Sequence, residues 1–259
     1  AVKIETDAKK LTTKGGEEFS FDKLVFATGS VPVVPKFIKG YDLEGVEYIK
    51  KNYNYIEKLK VKTDAAKNIV VIGGGFIGVE LAEQLAKFDD KKVTLIEVEK
   101  YCLFKAFSED LAAEADKVIR GTGINLLTSH KVEEILGKDG KVVAVKLADG
   151  TEIETDLVIS AVVYRPNTDL AKACGLEINS VGAIRVDQYQ KTTHNDIFAV
   201  GDCAQKIGFI TGRTDQIMLA STATSEARNL GYNLFNINLL KDFIGTLSVF
   251  STEIGGKVF

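Results

Sequence analysis

Two mostly apolar segments in the middle of the chain, residues 69–72 and 92–98, dominate its hydrophobic pattern. Such segments are typical of strands that are buried on both faces of a parallel sheet. Between them, residues 76–88 carry apolar side chains at helical spacing, so a strand–helix–strand unit is predicted. A second helix is predicted from Ser108 to Gly121, because the acidic residues of its first turn are favourable at the positive end of the helix dipole.

Strand and helix patterns continue on both sides of this unit. Residues 2–21 alternate around a glycine turn, which predicts a hairpin. Residues 48–62 are predicted to form a charged helix or a linker, and another helix is predicted from about Thr214 to Leu234. Further strands are predicted at residues 23–27, 124–127, 132–136, 142–147, 156–163 and 196–200, and within residues 245–259. Together these elements predict an α/β protein.

A glycine-rich turn follows the first apolar segment and fits the pattern G-x-G-x-x-G. It comprises Gly73, Gly74, Gly75, Phe76, Ile77 and Gly78. The pattern alone is weak, but here it joins a strand to a helix, and Glu97 ends the next strand about 20 residues further on. This context predicts a dinucleotide site with the phosphates at the helix N-terminus, where backbone N–H groups are free and the dipole is positive.

The residues of this motif have separate expected roles. Gly73 permits the tight turn, Gly75 leaves room for a pyrophosphate beside the backbone, and Gly78 lets the helix pack closely on the strand. Glu97 is expected to accept hydrogen bonds from both ribose hydroxyls and to repel a 2′-phosphate, so NAD(H) is favoured over NADP(H). The alternative is a glycine turn that only packs a helix on a sheet.

Two other segments combine a strand with a turn of small residues. One ends at Ala27, Thr28 and Gly29, and the other ends at Gly201 and Asp202. Ligands of α/β sheets bind at the carboxyl ends of parallel strands, and glycines there allow close approach to the backbone. The Asp202 carboxylate suits the hydroxyl groups of a polyol. The hydrophobic pattern by itself is equally consistent with two ordinary strand ends.

The order and spacing of three motifs resemble one known family. Ala-Thr-Gly-Ser at 27–30, the glycine motif at 73–78 and Ala-Val-Gly-Asp at 199–202 are similar to the FAD-dependent pyridine nucleotide–disulfide oxidoreductase superfamily. The branch of NADH oxidases, NADH peroxidases and coenzyme A disulfide reductases is the most similar. The resemblance implies Rossmann-like FAD- and NAD(P)-binding domains with three-layer ββα architecture.

The resemblance also implies a domain order. An NAD-binding domain at residues 64–182 is expected to interrupt a discontinuous, incomplete FAD-binding domain at residues 1–63 and 183–244. Residues 245–259 are expected to begin a C-terminal interface domain. A homodimer is expected if that domain is present in the parent protein.

Site roles carried over from the family follow the matching positions. Thr28 and Gly29 would lie beside the FAD phosphates and ribityl chain, and Asp202 would hydrogen-bond the ribityl group. The backbone of Val2 would pass near the FAD adenine. Glu80 would lie near the nicotinamide, although a glutamate there is equally consistent with an ordinary surface position. The helix predicted near residue 214 would direct its positive N-terminus at the isoalloxazine.

The chain departs from the family pattern in three places. No FAD-type G-x-G-x-x-G precedes Ala27, and most members carry a redox-active cysteine after that motif. Only the first strands of the C-terminal domain are recognisable. Val163 stands where members usually carry a glycine beside the NAD, so its side chain is expected to crowd the cofactor. With a first residue other than methionine, these features predict a chain truncated at both ends.

Composition excludes several other functions. The 259 residues carry 33 basic and 36 acidic side chains, and this balance argues against a nucleic-acid or membrane-surface partner. No apolar run approaches the roughly 20 residues of a membrane-spanning helix. Cys102, Cys174 and Cys203 are widely spaced, which disfavours a disulfide framework and a metal site. Cys203 is expected to be a small buried filler, and a reduced, cytoplasmic setting is expected.

The resulting functional prediction is an FAD-dependent NADH oxidoreductase of the NADH oxidase type. It would use FAD and NAD as cofactors and transfer hydride from NADH to flavin and on to an acceptor. Its expected partner is a small-molecule nucleotide. Two alternatives stay open: a non-catalytic NAD-binding fragment, or a coenzyme A disulfide reductase if a catalytic cysteine lies upstream of Ala1.

Overall fold

The computed structural model describes residues 1–235, 240–247 and 249–259. The chain divides into two compact units, and each is built from two stretches of sequence. Unit 1 comprises Ala1–Val31 and Tyr164–Val249, and unit 2 comprises Pro32–Val163 and Phe250–Phe259. These bounds differ from the predicted domain bounds at residues 64 and 182. Unit 2 also takes in the C-terminal segment that the sequence predicts to open a further domain.

The strands are short. In the described residues they are, in chain order, Lys3–Glu5 (β1), Lys10–Thr12 (β2), Glu18–Ser20 (β3), Leu24–Phe26 (β4), Ser30–Pro32 (β5), Val46–Tyr48 (β6), Asn68–Ile72 (β7), Lys92–Ile96 (β8), Asn125–Leu127 (β9), Val132–Lys138 (β10), Lys141–Leu147 (β11), Glu152–Glu154 (β12), Leu157–Ser160 (β13), Tyr164–Pro166 (β14), Ile197–Ala199 (β15), Lys206–Ile207 (β16), Thr214–Asp215 (β17), Glu253–Ile254 (β18) and Lys257–Val258 (β19).

The helices of the described residues are Tyr53–Ala65 (α1), Phe76–Ala86 (α2), Glu109–Gly121 (α3), Asp169–Ala173 (α4) and Ala220–Asn233 (α5). Gly201–Cys203 adds a single 3₁₀ turn. Within the part of the chain that is described, none of these helices has the length and apolarity needed to cross a membrane.

A parallel sheet in the order β6-β13-β7-β8-β9 forms the centre of unit 2. Its two longest strands, β7 and β8, are the predicted buried strands. Val71 and Leu95 face a core shared with the helices, whereas Val70 and Ile96 face a core shared with the antiparallel sheet β10-β11-β12. Because both faces are covered, these two strands are apolar except at Asn68, Lys92 and Thr94. The predicted α/β, three-layer ββα architecture is confirmed here.

Helices α2 and α3 begin where the sequence predicts. α2 starts directly after Gly75 and buries Val79 and Ala82 against the sheet. α3 follows Ser108, has Glu109 and Asp110 in its first turn, and buries small residues that let it approach the sheet closely. Carboxylates in a first turn interact favourably with the helix dipole, which explains this starting point.

Unit 1 consists of smaller sheets. β1, β2 and β3 form an antiparallel sheet, β15 pairs with β4 in parallel, and β14 pairs with β5. Ile4, Phe26, Ile184 and Ile197 form the centre of its apolar core. The pairing of β4 with β15 matters for function, because it joins two strand ends that are far apart in sequence.

One predicted helix starts later in the structure than the sequence predicts. The helix predicted from Thr214 begins at Ala220, and residues Thr214–Asp215 instead form β17, which pairs with β16. Gly212 has φ = +62° in the loop between these strands, a conformation that favours glycine and lets the chain reverse. The ladder bonds therefore override the helical pattern at this position.

Two polar segments agree with their predictions in part: the hairpin at residues 2–21 gains a strand, and the helix predicted within residues 48–62 starts later. β2 lies in the lysine-rich part of the predicted hairpin and pairs on both sides, so the hairpin is a three-stranded sheet. Residues 48–62 belong to two elements, because Tyr48 ends β6 and α1 begins after Asn52. The side chain of Asn52 accepts a hydrogen bond from the N–H of Tyr55. An N-cap of this kind replaces a missing intrahelical partner and sets the helix start.

Candidate dinucleotide site

The turn between β7 and α2 requires glycine at its first position. Gly73 has φ = +107°, and its N–H donates to the carbonyl oxygen of Ile96 at 2.8 Å. A Cβ atom at Gly73 would lie 2.9 Å from the carbonyl oxygen of Ala161. Both the backbone conformation and the neighbouring strand therefore exclude a larger residue.

Gly78 and Gly74 are required for a different reason, which is close packing. A Cβ atom at Gly78 would lie 1.8 Å from the carbonyl oxygen of Gly73, so α2 can sit this close to the turn only without a side chain. A Cβ atom at Gly74 would lie 2.6 Å from Sγ of Cys102 and 3.0 Å from Glu97. The predicted close packing at Gly78 agrees with this geometry.

Gly75 differs from the other glycines of the motif. It is the N-cap of α2, with φ = −76°, and a Cβ atom there would meet nothing within 4 Å. The fold therefore does not need a glycine at this position. The open space lies at the helix N-terminus, where the first N–H groups have no intrahelical partner and the dipole is positive. This is the place that an anionic phosphate group would occupy.

Glu97 lies directly after β8 and turns its carboxylate towards the glycine turn. Oε2 accepts a hydrogen bond from the N–H of Gly74 at 2.6 Å, and Oε1 accepts one from the N–H of Glu99 at 2.8 Å. A carboxylate has about four acceptor positions, so two of them are still able to accept hydroxyl groups. The two backbone donors hold the carboxylate in one orientation.

A cavity of about 420 Å³ opens at this turn. This volume is within the usual range of ligand sites, about 300–1,000 Å³. Its lining includes these predicted site residues: Gly73, Gly74, Gly75, Phe76, Glu97 and Val163. Ile77, Gly78 and Glu80 lie outside the lining of this cavity. The structure thus brings most of the predicted NAD-site residues together around one space.

Two predicted residues of unit 2 have individual surroundings. Val163 exposes 52% of its surface and lines the cavity, while its carbonyl oxygen accepts the N–H of Val33 at 2.9 Å. The carboxylate of Glu80 accepts a hydrogen bond from the hydroxyl group of Thr252 at 3.0 Å. Val163 is therefore positioned to contact a bound molecule, and Glu80 contacts the C-terminal hairpin of the same unit.

The loop at residues 98–107, here called the wall loop, was missed by the sequence reasoning. It contributes Tyr101, Phe104 and Lys105 to the cavity lining. Phe107 also packs edge-on against Phe76, with ring centroids 5.7 Å apart. A cluster of aromatic residues directly after Glu97 was the available signal, but it has no periodicity that would have placed it beside the glycine turn.

In unit 1, the two predicted strand ends meet. The hydroxyl group of Ser30 donates to Oδ2 of Asp202 at 2.7 Å, and Gly29 has φ = +68°. Thr28 donates its hydroxyl hydrogen to the carbonyl oxygen of Asn167 at 2.6 Å. The parallel pairing of β4 and β15 places these turns at the same sheet edge, as expected for a ligand site at strand carboxyl ends.

A buried ion pair holds the Gly201 turn. Oε2 of Glu226 accepts the N–H of Gly201 at 2.7 Å, and Oε1 lies 3.0 Å from Nζ of Lys206. The Lys206 ammonium also donates to the carbonyl oxygens of Gly201 and Ala204. Both charged side chains are almost fully buried, and burial raises the pKa of Glu226 against the opposing effect of Lys206.

The remaining predicted residues of unit 1 are exposed. Val2 exposes 56% of its surface, and its N–H donates to the carbonyl oxygen of Thr12 at 2.8 Å. Ala27 is exposed between β4 and Gly29. The helix expected to direct its N-terminus at the flavin begins at Ala220, after β17.

The cysteine thiols are enclosed to different degrees. Cys102 and Cys203 are fully buried, and Cys174 is half-buried. Burial raises the pKa of Cys102, and the neighbouring carboxylates of Asp116 and Glu97 raise it further. A thiol with a raised pKa is protonated at neutral pH, so Cys102 is a poor nucleophile. The position of Cys203 agrees with its expected role as a buried filler.

Comparisons with known proteins identify relatives of this chain. Residues 1–227 match the family described as pyridine nucleotide-disulphide oxidoreductase. An NADH oxidase of Enterococcus faecalis is 35% identical over 227 residues, which cover 88% of this chain and 50% of the relative. An NAD(P)H coenzyme A polysulfide/persulfide reductase of Pyrococcus horikoshii is 31% identical, over 90% of this chain and 52% of the relative.

Solved structures show the same similarity. The NAD-dependent persulfide reductase of A. fulgidus has a TM-score of 0.90 and 33% identity, and the match covers 98% of this chain and 47% of that one. The NADH-bound, water-forming NADH oxidase of Lactobacillus brevis has a TM-score of 0.86 and 32% identity, with 97% and 55% covered. The chain spans about half the length of the curated relatives that it matches.

Proposed function

Because the chain belongs to the pyridine nucleotide-disulphide oxidoreductase family, we propose that it provides the NADH site and part of the flavin site of an NADH-dependent flavoprotein oxidoreductase. NADH oxidases among its relatives support the reaction type. FAD and NAD are the cofactors of this proposal. In this proposal, residues 64–182 bind NAD and the flanking segments bind FAD. The predicted cytoplasmic location and homodimer remain predictions.

One observation carries the proposal: the open space at Gly75. Gly73, Gly74 and Gly78 are required by conformation or packing, but Gly75 has no neighbour that a side chain would meet. A glycine at this N-cap is explained if a ligand uses the space. The N–H groups at the start of α2 would bind a phosphate group of that ligand, and the carboxylate of Glu97 would bind its hydroxyl groups.

The chain's own residues would bind and orient the dinucleotide. The N-terminus of α2 would stabilise the pyrophosphate, and Glu97 would accept the adenosine ribose hydroxyls. A 2′-phosphate beside that carboxylate would be repelled, which supports NADH over NADPH. Val163, which lines the same cavity, would contact the nucleotide and restrict the room available to it. Glu80 is a weaker candidate for nicotinamide contact, because its carboxylate bonds to Thr252.

For the flavin, unit 1 offers a polar edge of matching chemistry. Thr28, Gly29 and Gly201 would let the phosphate and ribityl portions approach the backbone, and Asp202 would accept a ribityl hydroxyl. Val2 and Ala27 would contribute backbone contacts. When bound together, flavin and nicotinamide supply hydride-transfer chemistry, while the protein supplies position and electrostatics.

The terminal acceptor has two candidates. The water-forming NADH oxidase among the relatives supports oxygen as the acceptor for this chain. The persulfide reductases among the relatives support a sulfur compound as the acceptor. The three cysteines of this chain do not decide between them. The alternative to an enzyme is a non-catalytic NAD-binding chain.

The test compares Gly75→Val with Gly121→Val. Both glycines have open space around them, but only Gly75 lies at the cavity. We expect Gly75→Val to weaken NADH binding about 10- to 100-fold by steric overlap with the nucleotide. Its thermal stability should fall only slightly, by the cost of valine at an N-cap, because no neighbouring atom is displaced. Gly121→Val should bind NADH normally. Equal affinity in the two variants would contradict the proposed site.

A second measurement separates the enzyme from the binding module. The purified chain is incubated with FAD, and its visible spectrum is followed during anaerobic addition of NADH. Retained flavin that is bleached by NADH supports the oxidoreductase. A colourless chain that still binds NADH supports the non-catalytic alternative.

A further inference from the structure

We propose that Asp116, a buried carboxylate on α3, is a positioning residue for the dinucleotide cavity because it holds the wall loop against the glycine turn. This inference rests on the proposed NADH-binding function of that cavity. Asp116 does not line the cavity itself; its effect is transmitted through the backbone of Cys102.

The wall loop supplies several of the residues that line the cavity, and no helix or strand stabilises the loop from within. Tyr101, Phe104 and Lys105 are among the cavity residues that it supplies, and it contains neither helix nor strand. A loop without ladder bonds keeps one conformation only if specific contacts fix its backbone. The shape of this wall therefore depends on a few hydrogen bonds.

One of those bonds attaches the loop to the glycine turn. The N–H of Leu103 donates to the carbonyl oxygen of Gly74 at 2.8 Å. Leu103 has φ = +59°, in the left-handed region that side-chain-bearing residues rarely adopt. Because this conformation is unfavourable for leucine, the surrounding contacts must hold it in place.

Asp116 supplies the neighbouring contact. Its Oδ1 accepts the N–H of Cys102 at 2.8 Å, directly before the strained Leu103. The Asp116 side chain is 7% exposed, and its Oδ2 lies 3.6 Å from Nη2 of Arg120. Burial raises the pKa of this carboxyl because enclosure disfavours the charged form, while the contacts with Cys102 and Arg120 oppose the rise.

The hydrogen bond from Cys102 to Asp116 also affects Gly74 and Glu97, which would contact the nucleotide. Sγ of Cys102 fills the space beside Gly74, where a Cβ atom would come within 2.6 Å of it. The N–H of Gly74 in turn holds the carboxylate of Glu97. Release of Cys102 would therefore loosen both the wall loop and the contact that orients Glu97. An apolar residue would fill the space of Asp116 but would leave the Cys102 N–H without its acceptor.

The experiment measures NADH affinity and amide exchange in four chains: wild type, Asp116→Ala, Asp116→Asn and Glu114→Ala. Asparagine keeps an oxygen that accepts the Cys102 N–H, whereas alanine removes it. Glu114 lies on the same helix, and its carboxylate forms an exposed pair with Lys117. We expect Asp116→Ala to raise the NADH dissociation constant about 5- to 30-fold, as for loss of one charge-assisted bond to a site-forming loop. Asp116→Asn should stay within about twofold of wild type by retaining that acceptor.

Hydrogen exchange of the Cys102 and Leu103 amides is followed in the absence of nucleotide. We expect faster exchange in Asp116→Ala and wild-type exchange in Asp116→Asn and Glu114→Ala. If Asp116→Ala does not fold, Asp116→Ser replaces it, because its short side chain cannot span the distance to Cys102. Protected amides and unchanged NADH affinity in the acceptor-free variant would overturn the inference while leaving the proposed function intact. A wild-type chain that does not bind NADH would overturn both.

Discussion

The glycine turn of unit 2 and the strand-end turns of unit 1, the two proposed nucleotide sites, are built in different ways. In unit 2, the turn, the helix start and Glu97 all come from one strand–helix–strand segment. In unit 1, the contact between Ser30 and Asp202 joins residues that are 172 positions apart. The first site is therefore defined by its near neighbours in sequence, and the second depends on how the whole unit folds.

The two sites also differ in what supports the backbone. Steric limits support the unit 2 turn, since only glycine fits at Gly73 and Gly78. Electrostatics support the unit 1 turn, because Lys206 and Glu226 bind the carbonyl and N–H groups of Gly201. The unit 2 turn should therefore be sensitive to a larger side chain at its packed glycines. The unit 1 turn should be sensitive to the loss of either charged partner of its buried ion pair. The variants below test this difference.

The largest effect is expected from Gly78→Val. The new side chain would overlap the carbonyl oxygen of Gly73, so α2 must move away from the glycine turn, and unit 2 should lose at least about 4 kcal/mol of unfolding free energy. Hydrogen exchange read separately in each unit checks this. Gly75→Ala is the control, because its Cβ atom meets nothing. Wild-type protection of unit 2 in Gly78→Val would contradict the steric explanation.

The next effect is expected from Lys206→Met. Loss of the cation leaves the Glu226 carboxylate buried, which costs about 3 kcal/mol. The native pKa of Glu226 is already raised by burial, so the stability that this group contributes is present at low pH and is lost as pH rises through its native pKa. The destabilisation should therefore be smaller at pH 4 than at pH 8.

Chemical unfolding at both pH values, with exchange read in unit 1, measures this effect. Lys100→Met is the matched control, since Lys100 and Glu109 form an exposed pair. We expect no pH-dependent loss in the control. A pH-independent cost in Lys206→Met would argue that the ammonium acts through packing alone.

The smallest effect is expected from Glu97→Arg, which changes affinity more than folding. NADH should bind about 10-fold more weakly, because the ribose hydroxyls lose an ionised acceptor, and NADPH should bind more tightly. Titration with both nucleotides checks this, and Glu97→Gln, which keeps the acceptor without the charge, is the control. An unchanged ratio of the two affinities would exclude the assigned ribose contact.

Several elements could be predicted from the sequence because their signals are local. The apolar segments of β7 and β8, the starts of α2 and α3 and the glycine turn all follow from periodicity, caps and backbone conformation. The β17 pairing could not be predicted, because ladder bonds with β16 compete successfully with a helical pattern. β2 was missed because Leu11 is the single apolar residue between Lys10 and Thr12, and one core-facing residue is too short a pattern to indicate a strand.

The candidate site divides in the same way. Gly73, Gly75, Gly78 and Glu97 could be chosen from spacing, and all of them except Gly78 line the cavity. The wall loop and Asp116 could not, because no regular pattern connects an aromatic loop to a carboxylate on the following helix. Glu80 was chosen through the family resemblance, and its bond to Thr252 depends on a distant hairpin.

By itself, the sequence determined the α/β architecture of unit 2 and the place of its glycine turn. Both follow from interactions between residues that are close in the chain, where spacing translates directly into geometry. Only the tertiary structure decided which loop closes the cavity, which carboxylate holds that loop, and how Lys206 and Glu226 support the Gly201 turn. Those contacts join separate segments, and their energies depend on burial that exists only after the chain has folded.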